Sequence, residues 1–140
     1  MTSAAIPALL RRGATLVAAG RVALGVTALA WPAVPARPWV GAAADDLAAR
    51  VFGRALGARD IALGLGALAV LLRPAAGAAE TDSARAWIAA GALSDALDVV
   101  ASVASWRELP RVGRWLVTAS AGGAALAGAA AALAMRPDRS

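Results

Sequence analysis

WIAAGALSDALDVVASVASW, residues 87–106, is the stretch on which the reading of this chain turns. It is apolar for long enough to cross a hydrocarbon core of about 30 Å at about 1.5 Å per residue. Trp87 and Trp106 bracket it, as interfacial indoles bracket a membrane span. Two carboxyl groups, Asp95 and Asp98, stand at its centre. An ionised acid at that depth costs about 3 kcal/mol or more, so acids there point to a built polar site.

The rest of the composition agrees with a membrane setting. Of 140 residues, 60% are hydrophobic and the mean hydropathy is +0.65. That is more apolar than a soluble domain, in which apolar residues make up about half. The formal net charge is +5, and all 14 basic residues are Arg. They are scattered singly or in pairs beside apolar runs, which reads as interfacial flanking rather than as the clustered patch of a nucleic-acid surface. Cys, His and Tyr are absent. Disulfides, Cys or His metal sites, thiol nucleophiles and Ser-His-Asp triads are thereby excluded. Acid–base chemistry has to use Asp, Glu or water, with Arg as the electrostatic partner. Nothing asks for a cofactor or a metal.

Working outward, the chain reads as one domain over 1–140 with four spans, at about 13–31, 52–72, 84–106 and 115–135. The expected fold is all-α, an antiparallel four-helix transmembrane bundle. Pro32 stops the first run; a cleaved signal peptide is its rival reading, opposed by Arg21 inside the run. Residues 32–44, with three Pro and Trp39, read as an interfacial loop. Asp45 or Asp46 is expected to cap the second helix, and Thr81, Asp82 or Ser83 the third. The last run is Ala- and Gly-rich, with small residues at four-residue spacing (Ala119, Gly123, Ala127 and Ala124, Gly128, Ala132) that suit close helix packing. The five Trp fall at expected span ends or in the loop, as a belt requires. Arg11 and Arg12 ahead of the first run favour cytoplasmic termini and a multi-pass protein of the inner, or plasma, membrane.

Depth counting gathers the charges. Adjacent spans run antiparallel, so depth is measured from the side where the first one ends. Arg21 lies about 15 Å in from Trp31, Asp60 about 12 Å in from Phe52, and Asp98 and Asp95 about 12 and 16 Å in from Trp106. Arg59 shares the layer. Asp95 and Asp98, three apart, share a helix face that Gly91, Ser94 and Ser102 extend into a small polar stripe. On the second span Gly53, Gly57, Asp60 and Gly64 form one side, a groove ending in an acid. The simplest assembly points Asp60 at Asp95 and Asp98, with Arg21 and Arg59 between the acids. Three carboxyl groups and two guanidiniums leave one acid in surplus, and an acid held protonated is what a general acid, a proton relay or a hydrogen-bonding site needs.

GRALGARDIALGLGALAV, residues 53–70, followed by GALSDALDVV, residues 91–100, resembles an uncharacterised family of small four-span membrane proteins, a domain of unknown function. The residues that carry the resemblance are Gly53, Arg54, Arg59, Asp60, Asp95 and Asp98. It implies the four-helix layout and the same acids, and it implies no activity.

Three functions compete. The first is an intramembrane acid–base enzyme, an isomerase, cyclase or hydratase acting on a lipophilic small molecule. Its catalytic residues are Asp60, Asp95 and Asp98, and its substrate-binding residues are Arg21, Arg59, Ser94 and Ser102. The second is a non-enzymatic accessory or structural subunit with a membrane protein partner, in which buried Arg–Asp pairs act as polar glue. The third is proton or ion translocation by a homo-oligomer. The bilayer is a partner in all three.

Overall fold

The computed structural model describes residues 8–73 and 78–135. Among them five α-helices follow one another: α1 (Ala8–Ala30), α2 (Ala33–Val40), α3 (Leu47–Leu71), α4 (Ala78–Ala104) and α5 (Arg111–Ala134), with a 3-10 turn at Gly41–Asp45 between α2 and α3. No strand occurs among the described residues.

This corrects the four-helix transmembrane bundle. Among the described residues three helices, not four, are long and apolar enough to cross a membrane: Ala8–Ala30, Ala79–Ala104 and Arg111–Ala134. By length and composition they mark a membrane protein. The helix α3 is long enough, but every 18-residue stretch of it contains Arg54, Arg59 and Asp60. Its charge content, not its length, sets it apart, and two of those charges, Arg59 and Asp60, are ones the site uses.

The interfacial loop is also corrected, because residues 33–45 are helical. Pro32 ends α1 and starts α2 with φ −59°, the value its ring imposes and a helix requires. Gly41 stops α2 at φ +67°, a left-handed conformation that costs glycine nothing. Two cap expectations change as well. Asp46 stands at the N-cap of α3 without a side-chain cap bond, and Asp45 is held by Arg37 at 2.8 and 3.0 Å. Thr81, Asp82 and Ser83 lie inside α4 rather than ahead of it.

Packing is by small residues. The pair α1/α3 is in close contact along its length, and so is α4/α5; the two pairs meet mainly where α3 touches α4, whereas α1 and α5 meet only sparsely. Glycine sets the α1/α3 distance. A Cβ on Gly25 would lie 2.5 Å from the Gly57 carbonyl oxygen, and one on Gly64 would lie 2.7 Å from that of Ala18. The glycine face of α3 thus serves α1, not α4. On α5, Gly128 packs on Ala92 and Ala132 is buried, whereas Gly123 faces open space, so one of the two small-residue rows is used. Trp87 lies well inside α4, its ring against Gly66 of α3 rather than at a helix end. Arg11 closes the α3 C-terminus, its guanidinium donating to the carbonyl groups of Leu71 and Arg73. Buried positions are filled by Ala18, Ala67, Leu71 and Ala84, while Leu16 and Leu126 are 74% and 75% exposed. Large apolar groups outward and small ones inward is the arrangement that lipid permits.

Candidate functional site

The five charges expected in one layer come together on three helices. Arg21 reaches from α1 across the close α1/α3 contact. Its Nη1 donates to Asp60 Oδ1 of α3 at 3.0 Å, and its Nη2 donates to Asp95 Oδ2 of α4 and to the Gly91 carbonyl oxygen at 3.0 Å. Arg59 makes the second fork. It holds both oxygens of Asp98, at 3.0 and 2.9 Å, and lies 3.4 Å from Asp60 Oδ1. Asp60 is therefore shared by both guanidiniums. Asp98 has one guanidinium to itself. Asp95 has only Arg21 among the described residues, and shares it.

Helix geometry explains the division. Asp95 and Asp98 share a face but not a level, and a three-residue step moves a side chain about 4.5 Å along the axis. Each acid so meets a different arginine. A planar fork suits both, since it binds two carboxylate oxygens or bridges two acids. Burial is uneven. The side chains of Arg21, Asp60 and Asp95 are each 12% exposed, against 31% for Arg59 and 22% for Asp98. The Arg21 half is the one in which an unpaired charge is costly.

The network is not packed dry. A cavity of about 340 Å3 is lined by all five charged residues, by Pro35 and Trp39 of α2, and by Ser120 of α5. A second, of about 480 Å3, runs the other way along the cleft between α1 and α5. Arg21 and Asp95 border both, with Val17 and Ala124. Both volumes lie in the range of small-molecule sites.

The two serines expected to bind substrate are placed elsewhere. Ser102 is buried, its hydroxyl donating to the Asp98 carbonyl oxygen at 2.8 Å. Ser94 is buried with a hydroxyl that has no hydrogen-bond partner. Neither lines either cavity. What sequence reasoning missed is α2, whose Trp39 and Pro35 wall the ionic cavity. The missing signal was weak, since three prolines in a short apolar run read as loop before they read as helix. The described residues contain no group of three acids placed to hold a metal ion.

Comparison with protein-family models, with curated proteins and with solved structures finds no match for the chain. The family resemblance drawn from GRALGARD and GALSDALD rests on those residues alone.

Proposed function

We propose that the protein is a membrane enzyme that carries out acid–base chemistry, an isomerisation, cyclisation or hydration, on a lipophilic small molecule held between α1 and α5. The observation that carries this reading is that the Arg/Asp network lines a cavity. Ion pairs that serve only to lock helices have no need of one. Asp95 is the acid with the least cation: it shares its one arginine with Asp60, and it borders both cavities. In the proposal Asp95 is the group that donates the proton. Asp60, held by two guanidiniums, orients Arg21. Arg59 and Asp98, the more exposed pair, balance each other. We place the protein in the plasma membrane with Arg11 and Arg12 on the cytoplasmic side.

The test compares lipid extracts of cells expressing the wild-type protein, Asp95→Asn or an empty vector, by high-resolution mass spectrometry and chromatography. A species of shifted retention, or of mass raised by one water, should appear with the wild type. It should vanish with Asp95→Asn at equal protein in the membrane. Identical extracts from all three would refute the enzyme reading.

A second reading is a non-enzymatic subunit. It is favoured by one fact, that each of the three acids has an arginine partner. Recovery of a stoichiometric membrane partner on gentle purification, with identical extracts, would establish it.

A further inference from the structure

We infer that the molecule this site takes is a single-chain amphiphile with an uncharged, hydrogen-bond-accepting head, and that the cavity of about 480 Å3 holds its tail. The inference rests on the acid–base reading and adds the substrate class to it.

Continuity is the first argument. Arg21 and Asp95 border both cavities, so an occupant of the larger one reaches the ionic network with one end. Lining is the second. Apart from those two residues, the larger cavity is walled by Ala, Gly, Leu, Val, Ile and one Trp, and offers a polar tail nothing to pair with. Shape is the third. Along α1 the lining runs from Arg21 back to Leu9, which is about 18 Å of helix. Spread over that length, the volume is a narrow bore that suits one chain.

The head follows from charge. Two guanidiniums and three carboxyl groups carry net charge minus one, and with a proton on Asp95 they carry none. A neutral acceptor then receives a hydrogen bond and leaves no charge unbalanced in the membrane. An anionic head would add an unpaired charge there, and a cationic head would compete with Arg21 for Asp95. A tail moving from lipid to cavity gains no hydrophobic free energy, so the head sets the affinity and the bore selects the shape.

The test uses the full chain in phosphatidylcholine vesicles. Three probes share one tail with a photoreactive diazirine along it, and end in a methyl ketone, a carboxylate or an ammonium. After irradiation, peptide mass spectrometry locates the adducts. The ketone probe should label Leu10, Ala14 and Ala127 saturably, about tenfold more than the charged probes, which is the worth of one good hydrogen bond. Gly13 borders the tail cavity, and a Cβ there meets no atom within 4 Å. Gly13→Phe should therefore fill the bore and abolish saturable labelling. Gly123→Phe, equally unobstructed but lining neither cavity, should leave it unchanged. Labelling spread over outward-facing Leu16 and Leu126, as a bulk lipid would give, overturns the inference. So does cleft labelling by either charged probe at the level of the ketone. If the cleft is unlabelled while an extract product depends on Asp95, the substrate class is wrong and the enzyme reading stands. If the ketone labels the cleft and extracts are identical with and without Asp95→Asn, the ligand class stands and the catalytic reading falls.

Discussion

Arg21→Met removes the one side chain that touches two acids on two other helices. Arg21 donates to Asp60, to Asp95 and to the Gly91 carbonyl oxygen. Without it Asp60 keeps Arg59 at 3.4 Å, but Asp95 keeps no ion-pair partner among the described residues. Its side chain is 12% exposed, and the apolar walls of the larger cavity offer nothing in place of the lost cation. Removing one partner of a buried pair costs about 3–5 kcal/mol. For a chain of 140 residues this lowers the melting temperature by about 10–20 °C. Asp95→Asn is not the mirror image. It leaves Arg21 with Asp60 and the Gly91 carbonyl oxygen, so the cation stays paired, and the loss should be about 1–2 kcal/mol. The double variant Arg21→Met/Asp95→Leu takes away the stranded carboxyl group and should recover about 2 kcal/mol over Arg21→Met alone. Thermal unfolding of the purified protein in detergent, followed by Trp fluorescence, measures all three. Equal losses for Arg21→Met and Asp95→Asn, or no recovery in the double variant, would refute the unequal sharing on which the role of Asp95 depends.

Other changes test the surrounding structure. Gly57→Ala places a Cβ 2.7 Å from the Gly25 carbonyl oxygen, which α1 and α3 relieve only by separating; about 1–3 kcal/mol should be lost in the same unfolding assay. Arg59→Gln removes the fork on Asp98, but these side chains are 31% and 22% exposed, so the loss should stay near 1 kcal/mol and fall clearly below that of Arg21→Met. Ser94→Ala removes a buried hydroxyl without a partner and should leave the melting temperature unchanged or slightly raised, with the extract product intact. If Ser94→Ala abolishes the product at full stability, the serine belongs to the site after all.

Much of the site was legible before any fold was known. Apolar runs broken by prolines located the helices, because a buried backbone in lipid has to bond to itself. Charges too costly to strand in hydrocarbon singled out Arg21, Arg59, Asp60, Asp95 and Asp98, and a fixed rise per residue put them at one depth. That reasoning needs only distance along each helix. Rotation about the axis and the choice of neighbour depend on contacts between segments far apart in the chain, and local spacing does not contain them. The spacing of Gly53, Gly57 and Gly64 gives a groove beside Asp60 but not its occupant: Gly66 takes the Trp87 ring of α4, whereas Gly57 and Gly64 let α1 approach. Closeness there is what allows Arg21 to span Asp60 and Asp95 together. Three prolines make residues 32–44 read as loop, yet Ala33–Val40 fold into α2 and wall the ionic cavity. Apolar length alone gives four spans, and the charges inside α3 separate it from the other three. Side-chain type and level were written in the residues; which guanidinium holds which acid, and the cleft left where α1 and α5 diverge, came from how the two helix pairs pack.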